Sequence, residues 1–329
     1  MRDALLRRYH ALPPVLRSAV ASARGGYLRA WRYGPGADRL RDEALARDGW
    51  SAERWRTWQE ERLAEVLHRA ATRVPYYRDQ WAARRRAGDG ASWEVLANWP
   101  VLEKEALRRT PEAFVADDRR IGRMFHDHTS GTTGKSLDLW FTRDTVRRWY
   151  ALHEARARCW YGVTRRDRWA IVGGQLVAPA AQQEPPFWVW NVALRQLYLS
   201  AYHLAPRHAP AYAAAMRDHG VAYALGYPSG LHALARALLA AGVEGPRLRV
   251  TIANAEPVLP HQRADVEAAF GGPLRETYGQ AEAVAAATEC AHGRLHLWPE
   301  AGWLELLGAG DAPVAAGATG ALVATSLLN

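Results

Sequence analysis

The chain has 329 residues, a net charge of +9, 49% apolar residues and 23% charged ones. That balance leaves ample material for a core and excludes an intrinsically disordered chain. No run approaches the roughly 18 consecutive apolar residues of a membrane span, and two cysteines, Cys159 and Cys290, exclude a disulfide framework.

Apart from Lys104 and Lys135, every basic residue is arginine, interleaved along the chain with Asp and Glu as in Arg84, Arg85, Arg86 and Asp89. A nucleic-acid binder gathers its basic residues on a patch, so no nucleic-acid partner is expected. At the N-terminus Arg7, Arg8 and Arg17 interrupt every apolar run and no small-residue cleavage site follows. The expectation is a cytoplasmic protein without a secretory signal. The first helix also carries Leu5, Leu6, Tyr9 and Leu16 beside its arginines. That composition suits a membrane surface, with packing on its own domain as the expected alternative.

Residues 1–120 read as mainly helical. Ser51 caps a helix through Trp55, Trp58, Leu63, Val66, Leu67 and Ala70, which Pro75 ends, and a short helix over Glu103–Arg109 stops before Pro111. From residue 121 the texture changes. Met124-Phe125 leads into a Gly-rich loop, Leu137–Phe141 reads as a strand, and Thr142 caps a helix through Val146, Trp149, Tyr150 and Ala157. Helices follow over Pro210–His219, Pro228–Ala241 and Pro260–Phe270, closed by Gly220, Gly242 and Gly271. Between and after them, Val221–Leu225, Leu248–Ala253 and Leu274–Tyr278 read as strands. Such alternation predicts an α/β fold with a parallel sheet covered by helices. Short strands fill His296–Asn329, with turns at Gly308-Ala309-Gly310 and Gly317.

The strongest local signal is Thr129-Ser130-Gly131-Thr132-Thr133-Gly134-Lys135-Ser136. Two glycines let backbone N–H groups turn toward an anion, five hydroxyls add donors, and Lys135 adds a point charge. A Gly-Thr-Thr-Gly alone reads as a hydroxyl-rich hairpin turn, but the whole octet turns the reading to a phosphate clamp. It is not a Walker A loop, which needs four residues between its glycines and a helix after Lys-Ser. His126 and His128 flank the loop, either neutralising phosphate charge or solvated on a strand edge.

The octet resembles the phosphate loop of the adenylate-forming superfamily. Asn254-Ala255-Glu256-Pro257 is similar to that family's adenine-side stretch, and Tyr278-Gly279-Gln280-Ala281-Glu282 to its Tyr-Gly-x-Thr-Glu. Val74–Arg78, Trp99–Lys104, Pro185–Trp188, Arg195–Tyr198 and Gly226-Tyr227-Pro228-Ser229 resemble the phenylacetate–CoA ligase/CapK-like branch. The resemblance covers nearly all of the chain from about residue 50. It implies that Tyr278 stacks on adenine, that Glu282 holds Mg²⁺, and that Gly226-Tyr227-Pro228 lies at the acyl pocket. Lys135 and Glu282 become the candidate catalytic residues. The implied reaction activates a small carboxylic acid with ATP and passes the acyl group to CoA or another acceptor. AMP transfer to a non-carboxylate acceptor and a non-catalytic nucleotide-binding scaffold are the alternatives.

Two departures stand out. Ala281 occupies a position that usually carries a hydroxyl, whose role Thr277 or Thr288 could take over. Gly320–Asn329 resembles the strand before the family's ribose-binding Asp, so residues 121–329 are expected to be the nucleotide-binding core without the small C-terminal lid. The apolar final strand is expected to be an exposed edge in need of cover, and the chain reads as one cut short, binding nucleotide more readily than it turns over. Cys290, His292 and His296 form a Cys-x-His-x-x-x-His set that suits zinc if a fourth ligand joins it, the alternative being a buried Cys beside surface histidines. Most of the 15 tryptophans, Trp188, Trp190 and Trp298 among them, belong in the core, with a few joining Tyr227 at the acyl pocket.

Overall fold

The computed structural model describes residues 2–129 and 136–328. Helices α1 (Arg2–His10), α2 (Pro14–Arg32) and α3 (Ala37–Arg47) open the chain. Next comes α4 (Ala52–Arg73), whose Ser51 cap accepts the Arg54 N–H at 3.2 Å. Pro75 does more than end α4. It takes the first position of α5 (Pro75–Arg86), where its missing N–H leaves no bond unmade and its fixed φ suits the first turn.

Then follow α6 (Lys104–Arg109), β1 (Phe125–His128), β2 (Asp138–Phe141) and α7 (Arg143–Ala157). Thr142 caps α7 by accepting the Thr145 N–H at 3.1 Å. The alternating region comprises β3 (Trp169–Gly173), β4 (Trp188–Asn191), β5 (Gln196–Ser200), α8 (Ala209–Asp218), β6 (Tyr223–Gly226) and α9 (Pro228–Ala240). It continues with β7 (Val250–Asn254), α10 (Pro260–Phe270), β8 (Leu274–Gly279), β9 (Ala286–Glu289) and β10 (Leu295–Leu297). A hairpin of β11 (Gly302–Leu307) and β12 (Ala321–Ser326) closes the sequence. Gly220, Gly242 and Gly271 have φ of +58°, +63° and +69°, the left-handed geometry that ends α8, α9 and α10.

The chain divides into two compact units, neither bounded at residue 120: Met1–Ala44 with Tyr150–Tyr278 and Ala287–His296, and Leu45–Trp149 with Gly279–Ala286 and Leu297–Asn329. The first is built on an eight-stranded sheet of order β10-β9-β8-β7-β6-β3-β5-β4. Strands β5, β3, β6, β7 and β8 run parallel, and β4 is antiparallel at the edge. Leu197, Leu199, Met216, Leu231, Leu234, Leu238, Val266 and Phe270 form the core between sheet and helices. Helix α2 covers the edge strand. The Trp190 and Val192 amides donate to the Ser18 and Ser22 hydroxyls at 3.2 and 3.1 Å, using donors that an open edge would leave bare. Gly25 permits this approach, because a Cβ there would lie 2.1 Å from the Asn191 side chain.

At the N-terminal ends of β3 and β6 a buried polar network ties the first unit together. Arg158 donates to Tyr223 Oη at 2.8 Å and to Glu154 Oε2 at 3.1 Å. The Arg165 N–H donates to Glu154 Oε1 at 2.8 Å. A buried charge requires such pairing.

In the second unit Leu63 and Leu67 of α4 pack with Leu327 among Trp58, Trp93, Leu96, Trp99 and Trp303. Arg62 Nε donates to the Leu327 carbonyl at 2.8 Å, and Thr145 Oγ1 to that of Leu328 at 3.3 Å. Leu327 and Leu328 are therefore covered, whereas β12 pairs with β11 in a two-stranded sheet and keeps Ala321 and Leu322 exposed, so among the described residues the final strand remains an edge.

Candidate functional site

The parallel strands of the first unit all end at one edge of the sheet. The strand order reverses at β3: β5 lies to one side and β6, β7 and β8 to the other. Open α/β sheets bind ligands in the crevice beyond the strand ends at such a switch point. Three segments singled out in the sequence arrive there: Gly226-Tyr227-Pro228 after β6, Asn254-Ala255-Glu256-Pro257 after β7, and Tyr278 near the end of β8.

Two of the three are clasped together. The Ser229 N–H donates to Glu256 Oε2 and the Ser229 hydroxyl to Oε1, each at 3.0 Å. Ser229 sits in the first turn of α9, where backbone N–H groups have no partner within the helix and favour an anion. The carboxylate of the expected adenine-side segment thus holds the end of the expected acyl-pocket segment. Ala255, between Asn254 and Glu256, has a φ of +66°. A left-handed residue with a Cβ costs roughly 1–2 kcal/mol, and this turn is what carries Glu256 back toward α9. Gly226 is needed where it stands, because a Cβ would lie 2.7 Å from the Val172 carbonyl of β3. The Tyr227 and Tyr278 rings remain 46% and 42% exposed, unusual for large rings beside a packed sheet and suited to covering a ligand.

The sequence reading missed the loop after β3. Tyr198 Oη accepts the Gln175 N–H at 3.1 Å, and Tyr202 Oη donates to the Gly174 carbonyl at 2.9 Å. A Cβ at Gly173 would lie 2.1 Å from Tyr198 Oη. Burial pushes the Tyr198 phenol up to about 12, the Gln175 N–H opposing it and the neighbouring Tyr227 and Tyr202 adding to it. It stays a neutral hydroxyl group at neutral pH. The signal was present in Ile171-Val172-Gly173-Gly174, an apolar strand that ends on two glycines.

Beyond β8, Tyr278-Gly279-Gln280-Ala281-Glu282 runs into a turn closed by the Ala283 N–H on the Gln280 carbonyl at 3.2 Å, with Ala283 at φ +54°. Glu282 is half-buried and Ala281 exposed. The hydroxyls proposed to replace the one missing at Ala281 are engaged elsewhere. Thr277 Oγ1 donates to the Ala253 carbonyl at 2.9 Å, and Thr288 is fully buried and has a partner of its own.

In the second unit the phosphate-loop reading falls largely outside the described residues, which exclude Ser130, Gly131, Thr132, Thr133, Gly134 and Lys135. What is described is the hairpin that presents them. Strands β1 and β2 pair antiparallel with His128 opposite Asp138. Thr129 closes the base, its N–H donating to the Leu137 carbonyl at 3.1 Å and its Oγ1 accepting the Leu137 N–H at 2.9 Å. Ser136 is exposed just before β2. The octet therefore joins two strands, as expected, and no helix follows Lys-Ser. His126 is bonded to Asp138 at 2.8 Å and stacked on Trp140, and the His128 ring lies 3.2 Å from the Thr129 carbonyl; both are exposed on β1, as in the strand-edge alternative.

The zinc alternative is corrected. Among the described residues no group of three or more His, Cys, Asp or Glu side chains is gathered around a common point, so Cys290, His292 and His296 do not assemble a zinc site. The reason is local. Cys290 starts a tight turn, with the Gly293 N–H on its carbonyl at 3.0 Å, and the His296 ring lies edge-on to Trp160. Trp188 and Trp190 take the core positions expected of them. They pack against the core beside Tyr212 and His219, and Trp298 is buried.

No protein-family model matches the chain. In sequence it is 25% identical over 242 residues to Protein CapK of Staphylococcus aureus, an alignment covering 73% of this chain and 53% of that one. The chain spans about half the length of this curated relative. Among solved structures, 2-hydroxyisobutyryl-CoA ligase in the postadenylation state with R3-HIB-AMP superposes with a TM-score of 0.60 at 21% identity, over 84% of this chain and 60% of that one. The same ligase with 2-HIB-AMP and CoA in the thioesterification state gives 0.60 at 20% identity, over 85% and 61%. The chain has the fold of this CoA ligase and is similar in sequence to CapK.

Proposed function

We propose that this chain belongs to the adenylate-forming enzymes and carries the ATP- and acid-binding part of a ligase that converts a small carboxylic acid to its acyl-adenylate. The clasp between Ser229 and Glu256 supports this reading best, because it holds the expected acyl and adenine segments side by side at the switch-point edge. The acid's carboxylate oxygen attacks the α-phosphorus of ATP, and pyrophosphate leaves. Tyr278 offers its exposed ring to the adenine, and Gly226-Tyr227-Pro228 shapes the acid's end of the crevice. Thr129 to Ser136, with Lys135, offset the charge that develops on the phosphates, which is electrostatic and positional catalysis. Magnesium is commonly held by one or two carboxylates together with substrate phosphates, so Glu282 would hold the ion, which would supply charge neutralisation at the phosphates. In this reading the acyl group then passes to CoA or another nucleophile, in the cytoplasm.

A second reading has its own observation. Ala281 offers no hydroxyl, and those of Thr277 and Thr288 are engaged in the sheet. A hydrogen bond to a charged group contributes about 1.5–3 kcal/mol, so its loss favours a nucleotide binder with little or no turnover. ATP–pyrophosphate exchange with a panel of carboxylic acids separates the two. Acid-dependent exchange supports the ligase, whereas calorimetric ATP binding with no exchange for any acid supports the binder. In either case Lys135→Ala weakens ATP binding with an unchanged circular dichroism spectrum. Unchanged affinity would sink the phosphate-loop assignment.

A further inference from the structure

Helix α2 has two faces, and both are committed to something other than water. Its inner face holds Arg17, Ser18, Ser22, Gly25 and Trp31; the serines bond the edge strand β4, and Arg17 bonds the Val177 carbonyl and the Gln182 side chain, each at 3.3 Å. The outer face follows the 4-3-4-3 spacing of one helical stripe: Leu16, Val20, Ala23, Tyr27 and Ala30. Every one of them is exposed, with Leu16 at 49% and Val20 and Tyr27 at 47%, while Val15 beside the stripe reaches 77%. In α1, Leu5 is exposed as well. A surface helix normally turns polar residues outward, so this stripe lacks its counterpart.

Charge says what the counterpart is. The basic excess is not spread evenly, as the sequence reading above has it: residues 1–32 carry seven arginines against one acid, Asp3, a net +6 of the chain's +9. Arg7, Arg8, Arg24 and Arg29 are exposed beside the apolar positions, and the Arg24 guanidinium lies 5.0 Å from the centroid of the Tyr27 ring. A second copy meeting this face with its own would set like charge against like. A bilayer with anionic headgroups satisfies the apolar stripe and the arginines together. We propose that α1 and α2 form an interfacial anchor that lays this chain on an anionic membrane surface, with β4 fixing α2 from behind. The inference does not depend on the ligase reading.

The test is flotation of the full chain with vesicles of phosphatidylcholine containing about a third phosphatidylglycerol, against phosphatidylcholine alone. The mixed vesicles should bind at least about tenfold more tightly and release the protein at high salt. L16E/V20E changes only exposed side chains, so its melting temperature should hold while binding is lost. Replacing Arg7, Arg8 and Arg24 together by serine should weaken binding on the order of a hundredfold, about fivefold per arginine. Three results overturn the proposal: no binding to the mixed vesicles, equal binding to both kinds, or binding that survives L16E/V20E. Concentration-dependent self-association abolished by L16E/V20E would also overturn it, assigning the stripe to a second copy.

Discussion

Glu256→Ala tests the contact on which the assignment of the site rests. The substitution removes two hydrogen bonds of 3.0 Å to Ser229 and the anion at the start of α9. Bonds to a buried carboxylate contribute about 1.5–3 kcal/mol each, but this carboxylate lies at the solvent edge. The better guides are the loss of a helix N-cap, about 0.5–2 kcal/mol, and of a charge at the helix dipole, about 0.3–1 kcal/mol. The expected loss is about 1–2 kcal/mol, which lowers the melting temperature by about 2–6 °C in a unit of this size. Ser229→Ala removes only the hydroxyl bond and should cost less than half as much. The double variant must then show a coupling energy of at least about 0.5 kcal/mol in a thermodynamic cycle. In the same proteins ATP affinity, measured by calorimetry, should fall with Glu256→Ala, because the strained turn at Ala255 loses its tether. If the two substitutions add without coupling, or the melting temperature does not move, Glu256 does not hold the acyl segment and the reasoning fails.

Two predictions concern charge. The Asp38 carboxyl is held below the usual range, first by its hydrogen bond from Arg165 and then by the nearby charges of Arg165, Arg41 and Arg166. Its contribution to stability is therefore present above the unfolded value near 3.9 and is lost as pH falls through the lower folded value. Asp38→Asn should destabilise the protein at neutral pH by an amount that shrinks steadily below about pH 4; a constant gap in thermal melts down to acid pH would contradict this. The two thiols should also differ. Backbone N–H groups of Arg294 and His292 lower the Cys290 thiol, whereas burial raises that of Cys159. Iodoacetamide at mildly alkaline pH should label Cys290 first by peptide mass spectrometry, because the thiolate is the nucleophile. Earlier labelling of Cys159 would count against the turn described at residues 290–294.

Much of this protein was legible in the order of its residues, because the information is local. Ser51 and Thr142 cap helices wherever the chain goes next, and a glycine that must take a positive φ ends α8, α9 and α10 through its own backbone freedom. Pro75 ended α4 as expected, but the feature that stops one helix at Val74 also starts the next, which went unread. The motifs at Asn254–Pro257 and Tyr278–Glu282 could be found as strings, and the tertiary structure decided what they touch. Nothing in the string pairs Glu256 with Ser229, 27 positions away. The sheet order that sets β6 beside β3 and β7, and so makes a switch point, depends on pairings between distant strands. Equally, Cys290, His292 and His296 are close in sequence but separated by a turn, and a covered Leu327 reads as an exposed end until α4 packs on it. Capping and turn geometry act over a few residues and can be read along the chain. Burial and partnership are set by which distant surfaces meet, and only the folded chain decides that.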